Sequence, residues 1–220
     1  MNIAKEISTP RMNHIAKTLR YSLYVITHPL DGFWDLTHEK RGSIAAANII
    51  ILSVLLTRIW KIQFTNFLFM KVQWEYVNIF EEVLGILIPL IIGCIANWSL
   101  TTLFDGKGTM KDIYIAIAYS LVPYVIIQLP MTFISNLLIS GEGAFYYYLN
   151  TFSVIWCVML LMSAMMMIHD FTLSKALIAI GATLIGMLVI LFLLLLFFSL
   201  ISDGMAYFIS LYKEIILRFY

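Results

Sequence analysis

Charge is what this sequence has least of. Only 12% of its 220 residues are Asp, Glu, Lys or Arg, and fourteen basic against thirteen acidic residues leave a net charge of +1. Soluble domains carry about twice that charged fraction. With so little net charge there is no global field to attract nucleic acid, and electrostatics enters only through the side on which each charge lies. Cysteine is scarce too. Cys94 and Cys157 both fall inside apolar runs, where they read as small packing residues and not as halves of a disulfide. Neither a Ser/Gly-rich linker nor a clear internal repeat divides the chain, so it reads as one domain. A secretory leader is not indicated, because the first 42 residues carry charges throughout and Leu23 to Ile26 is too short for its apolar core.

Catalytic motifs are missing as well. No G-x-S-x-G, H-E-x-x-H or paired C-x-x-C is present, which excludes the common hydrolase, zinc-protease and zinc-ribbon signals. The "DGKGT" stretch at 105–109 lacks P-loop spacing and follows an apolar run, so it reads as a tight turn, with Thr109 and Asp112 capping the next helix. Ser120 has no histidine near it in sequence. The expectation is a protein that is not an enzyme, with no catalytic residue, cofactor or metal assigned.

Apolar residues are abundant: 61% of the chain is hydrophobic and 15% aromatic, with twelve methionines. A helix of about 20 apolar residues crosses a bilayer, and five segments qualify: Ser43 to Phe64, Ile79 to Phe104, Ile113 to Ile139, Tyr146 to Ile168 and Ala176 to Ile201. Pro123 and Pro130 should kink the third. Arg58 and Lys61 should snorkel outward from the first. The predicted fold class is therefore all-α: a polytopic bundle of five transmembrane helices, preceded by interfacial amphipathic helices. Residues 1–42 form the N-terminal region, 43–202 the membrane domain and 203–220 an amphipathic tail after Asp203 and Gly204.

Sidedness follows from the basic residues. With the N-terminus cytoplasmic, the inner side holds Lys5, Arg11, Lys17, Arg20, Lys40, Arg41, Lys107, Lys111 and Lys175. The outer side holds Arg58, Lys61, Lys71, Lys213 and Arg218. Nine against five predicts a multi-pass cell-membrane protein with its N-terminus inside and its C-terminus outside.

Two surface helices are expected before the first span. In Pro10 to Ile26, Arg11, Lys17 and Arg20 interleave with apolar residues and turn toward lipid phosphates. In "THPLDGFWDLTHEKRGS", Pro29 suits a first helical position, Thr27 or His28 a cap, and Gly42 a stop, giving a helix over 29–41. Leu30, Phe33, Trp34 and Thr37 then share one face, and Asp31, Asp35 and His38 another. The first reading is an interfacial helix with a solvated or partner-binding polar face. The alternative is a metal or catalytic cluster, because His28, Asp31, Asp35 and His38 are spaced three, four and three apart and His14, His169, Asp105, Asp112 and Asp170 fall on the same side.

In the second span Glu81, Gly85, Pro89, Gly93, Asn97 and Thr101 recur every four residues, a slowly winding stripe of small and polar groups suited to helix packing. Asn78 and Glu81 fit a capping box. Gly186 follows Ala182 at small-xxx-small spacing. The isolated amides Asn48, Asn97, Gln128, Asn136 and Asn150 read as interhelical hydrogen-bonding groups, with a solute path as the alternative.

"AYSLVP", Ala118 to Pro123, resembles the small-Tyr-Ser-x-x-Pro pattern of the Yip family, polytopic proteins named for interacting with Ypt/Rab GTPases. The five spans match, and "HPLDGFWDL…EKRGS" with "DGKGT…D" further resembles the bacterial branch. The resemblance implies a non-enzymatic membrane protein, and in bacteria an association with solute-transport systems. GTPase binding does not carry over, because Asp35, Leu36 and Thr37 do not supply the D-L-Y-G-P type motif. The expected function is an accessory or scaffold subunit in contact with membrane lipids and a membrane-protein partner, such as a transporter complex. Its partner surface would comprise His28, Asp31, Phe33, Trp34, Asp35, His38, Lys40, Arg41, Asp105 and Lys107. Gly85, Pro89, Gly93, Asn97, Tyr119, Ser120, Pro123 and Gly186 would pack the helices. A small carrier or lipid-handling protein is the alternative, and a metal-dependent membrane enzyme the second.

Overall fold

The computed structural model describes residues 3–70, 77–103 and 105–219, with side chains from residue 15 to 218 of those ranges. Lys5, Arg11, His14 and Lys71 therefore lie outside the described side chains. The elements are α1 (Ile3–Thr27), α2 (Pro29–His38), α3 (Ile44–Phe64), α4 (Ile79–Leu103), α5 (Met110–Ser120), α6 (Val122–Ile134), a 3-10 turn (Ser140–Glu142), α7 (Gly143–His169) and α8 (Leu173–Phe219). Among the described residues there is no strand.

Local chemistry explains several of the boundaries. Ser43 caps α3 by accepting from the Ala46 amide. The Asn78 side chain accepts from the Phe80 amide at the start of α4, and Glu81 bonds to that side chain instead of to the backbone. Thr109 and Asp112 form the reciprocal capping box at α5. The helices at this end of the bundle stop where a non-glycine residue turns left-handed: Lys40 after α2, Asp105 after α4 and Asp170 after α7, with φ of 52°, 58° and 53°. Gly106 N–H then reaches back to Thr101, and Phe171 N–H to Met166, satisfying carbonyls that the helix ends would leave open.

Among the described residues, five helical units are long and apolar enough to cross a membrane: Ile44–Phe64, Ile79–Leu103, Met110–Ile134, Ser140–His169 and Leu173–Arg218. This is a multi-pass membrane protein in contact with lipid. The third unit is the most enclosed of the five. Its expected kink is a break at Leu121, where the Leu121 amide turns back to Ala118 and Pro123 begins α6 without needing a donor of its own.

Around that span the core is rich in small residues, with Ala46, Ala47, Ala116, Ala118 and Ala164 almost wholly buried. Lipid is as apolar as leucine, so helices associate in it through close backbone approach, which alanine permits. Tyr119 is fully buried at the centre, and its hydroxyl donates to the Thr18 carbonyl of α1. Through Thr18, Ser22 and Val25, α1 is thus fastened to the bundle, leaving Lys17 and Arg20 outward.

No interruption occurs at Asp203 and Gly204. The helix α8 runs unbroken for 47 residues, roughly 70 Å against a hydrocarbon core of roughly 30 Å. One glycine costs a helix only about 1 kcal/mol, too little to stop a run flanked by good helix formers. The segment 203–219 is therefore helical as expected, but continuous with the fifth span.

Candidate functional site

The helix α2 is the most built feature of its end of the bundle. Pro29 opens it, as the sequence suggests, but His28 makes no side-chain cap. It ends at His38 and not at 41, and Lys40 makes the left-handed turn in place of Gly42. Gly42 serves packing instead: a Cβ there would stand 2.8 Å from both Leu36 and Ile115.

The expected apolar face of α2 is divided. Phe33 is fully buried and Leu36 nearly so, both in the main core, while Leu30 and Trp34 stay about half exposed. Facing Gly32, α1 approaches so closely that a Cβ would meet the Val25 Cα at 2.9 Å. α2 is consequently seated in the bundle between α1, α5 and α7, and does not merely rest on a lipid surface.

A polar clamp holds it there. The Tyr21 hydroxyl donates to Asp35 Oδ2 at 3.0 Å, and Arg41 Nη1 lies 3.2 Å from the same oxygen. Arg41 also pairs with Glu39 and sits over the Tyr21 ring, 5.6 Å from its centroid. Burial, and then the hydrogen bond to Asp35, push the Tyr21 phenol above its ordinary value, so it remains a neutral donor. Beside the clamp, Lys17, Arg20, Tyr21, Tyr24 and Arg41 line an open hollow of about 350 Å³.

The metal reading is not supported by this geometry. His28 stacks on Tyr24 with centroids 4.6 Å apart, and His38 on Trp34 at 3.6 Å. Asp35 is taken by Tyr21 and Arg41, and Asp31 points outward. Among the described residues no three His, Cys, Asp or Glu side chains converge to hold a metal ion. A three-four-three spacing puts side chains on successive turns, but both histidines and Asp35 are engaged by nearer neighbours, and Asp31 is left exposed.

Asp105 and Lys107 lie apart from α2, on the turn between α4 and α5. Asp105 is exposed, and Lys107 pairs with Asp170 at 2.8 Å. Beneath this turn lies a buried polar cluster around His169, which spacing along the chain does not set apart from the other same-side histidines. The Gly108 amide donates to His169 Nδ1 at 3.2 Å, which leaves Nε2 as the donor to Asn97 Oδ1, also 3.2 Å away. Asn97 Nδ2 then donates to Thr183 and to the Met165 sulfur. One turn and three helices, α4, α7 and α8, are joined by this chain. The mark of it in the sequence is the glycine pair: a Cβ on Gly106 would stand 2.7 Å from His169 Nδ1, and one on Gly108 would collide with Ile168 and His169.

At the other end, Arg58 and Lys61 do not snorkel free. Arg58 Nε donates to Glu82 of α4 at 2.8 Å, and Lys61 Nζ to Asn150 of α7 at 2.6 Å. A charge in lipid is costly, so a partner on a neighbouring helix is preferred where one lies in reach. All five amides bridge elements: Asn48 to Tyr114, Asn97 to His169 and Thr183, Gln128 to Ser153, Asn136 to the Phe64 carbonyl, and Asn150 to Lys61.

The α4 stripe is likewise divided. Gly93 faces Met187, and Asn97 and Thr101 are buried, but Gly85 and Pro89 are exposed and a Cβ on Gly85 would meet nothing within 4 Å. Steps of four drift about 40° per turn, which carries one end of the stripe off the contact. Gly186 packs against Leu100, 2.7 Å from where its Cβ would be, and Tyr119, Ser120 and Pro123 are buried in the third span. Cys94 and Cys157 are free and buried on separate helices.

A search of the curated proteins finds no match, and a search of the solved structures finds none either. The Yip1 domain profile matches residues 23–211, which takes in α2 with Asp35, the AYSLVP break and, but for the last turns of α8, all five spans. The chain belongs to the Yip1 domain family.

Proposed function

We propose that this protein is a non-enzymatic accessory or scaffold subunit that binds a membrane-protein partner, such as a transporter complex, through the exposed side of α2. One observation carries the reading: α2 is locked by Phe33, Leu36 and the Asp35 clamp, yet leaves Leu30 and Trp34 about half exposed, with Asp31 and His38 beside them. A rigid helix that presents an aromatic anchor with polar neighbours suits recognition, because little side-chain or backbone freedom is lost on docking. Lys40 and Arg41 would frame the contact, and a partner broad enough to span both features would also meet Asp105 and Lys107 on the α4–α5 turn. The excess of basic residues at this end supports a cytoplasmic placement and a C-terminus outside.

Affinity capture from native membranes after gentle solubilisation tests this. Trp34→Ala with Leu30→Ala should lose a partner that the parent chain retains, with the thermal midpoint of the bundle unchanged. Recovery of the same proteins in the same amounts would remove the docking role.

A second reading, a small carrier or lipid-handling protein, is favoured by an apolar cavity of about 310 Å³ between α4, α5, α7 and α8, with Asn97 and Thr183 in its wall. Reconstituted solute or lipid flux, abolished by Asn97→Leu in folded protein, would support it over docking alone.

A further inference from the structure

The end of the bundle away from α2 holds a second feature, independent of the docking face. A cavity of about 270 Å³ lies between the last turn of α3, residues 65–70 and the start of α7. Lys61 and Asn150 line one part of it, and Phe69, Tyr146 and Tyr147 another. The cation here is not neutralised by a described acid. Arg58, one turn earlier on α3 and also in the cavity wall, is bonded to Glu82, whereas Lys61 makes its described hydrogen bond to the neutral Asn150 amide.

A second polar group points to a missing ligand. Thr65 is more than nine-tenths buried in the wall of the same cavity, and its hydroxyl has no hydrogen-bond partner among the described residues. Lys61 and Thr65 are four residues apart, hence on one side of the helix end. An ammonium and a hydroxyl donor side by side ask for an anion with at least two acceptor oxygens. The frame is fixed from behind: Asn150 accepts from Lys61 through its side chain, its carbonyl accepts from Ser153, and Ser153 accepts from Gln128.

Depth identifies the anion. Lys61 stands three residues before the end of a span about 30 Å long, so its ammonium lies at the edge of the hydrocarbon, where lipid phosphates begin. Tyr146 and Tyr147 have the amphipathic character that suits that level. We propose that Lys61 and Thr65 form a site for the phosphodiester of a phospholipid headgroup, with Phe69, Tyr146 and Tyr147 walling it.

The test uses the full chain in a neutral detergent, titrated with dioleoyl phosphatidylglycerol or, in a parallel arm, with soluble glycerol phosphate, while the thermal unfolding midpoint is followed. The lipid should raise the midpoint of the parent and of Lys61→Arg. Lys61→Gln should need roughly tenfold or more lipid for the same shift, as expected for a lost hydrogen bond to a charged group. Thr65→Val should fall between, and it carries the test if Lys61→Gln does not fold. Saturable protection by glycerol phosphate alone, lost in Lys61→Gln, would keep the phosphate site but assign it to a soluble ligand and overturn the lipid. Protection that survives both Lys61→Gln and Thr65→Val, or no protection by either compound, would overturn the site.

Discussion

Removing Asp35 should loosen α2 without unfolding the bundle. The carboxylate accepts from Tyr21 at 3.0 Å and faces Arg41 at 3.2 Å. A hydrogen bond to a charged acceptor contributes about 1.5–3 kcal/mol. Part of that would be recovered, because the Gly32 carbonyl already stands 3.3 Å from the same hydroxyl. The exposed Arg41 contact adds little, since solvent screens it and Glu39 keeps the guanidinium paired. Asp35→Ala should therefore weaken the seat of α2 by about 1–2 kcal/mol, against about 3–5 kcal/mol for losing an anchor like Phe33. Hydrogen exchange of the full chain in nanodiscs reads this directly. Amides of 32–39 should exchange roughly five- to thirtyfold faster in Asp35→Ala, since each 1.4 kcal/mol is a factor of ten. Amides of α3 and α7 should not change. Asp35→Asn, which keeps an acceptor for Tyr21, should lie between. Exchange in α2 within twofold of the parent, or an equal increase in every helix, would refute the clamp.

Asn97→Ala should destabilise the bundle by about 1–3 kcal/mol, because it leaves the buried His169 Nε2–H without its acceptor and uncouples α8 at Thr183; an unchanged midpoint in equilibrium unfolding from mixed micelles would count against that chain of bonds. Gly108→Ala should cost a similar 1–3 kcal/mol by overpacking against Ile168 and His169, whereas Gly85→Ala, with nothing within 4 Å, should be neutral or slightly stabilising. Equal effects at the two glycines, measured the same way, would mean the turn is not packed as described.

Much of this is legible in the sequence. Spans announce themselves because lipid demands some 20 apolar residues in a row, and Pro123 and the Thr109 to Asp112 pair act locally, through a missing donor and a cap. What depends on a distant partner was not legible. Helical spacing put Phe33 and Trp34 on one face, but only the position of the core decides that Phe33 is enclosed and Trp34 is not. Arg58 and Lys61 read as snorkelling until Glu82 and Asn150, on other helices, come within reach. Asn97 and His169 stand 72 positions apart, and no local pattern ties them. The spacing of His28, Asp31, Asp35 and His38 is compatible with a shared ligand, the alternative to a solvated face, but aromatic neighbours one turn away stack on both histidines.

The docking role is tested most directly by a photoreactive phenylalanine placed at Trp34 in the intact membrane, with the same residue at the exposed, lipid-facing Leu52 of α3 as reference. Irradiation should give one discrete protein adduct from position 34 and none from position 52. Lipid adducts alone at position 34, or the same protein adducts from both positions, would contradict a partner surface on α2.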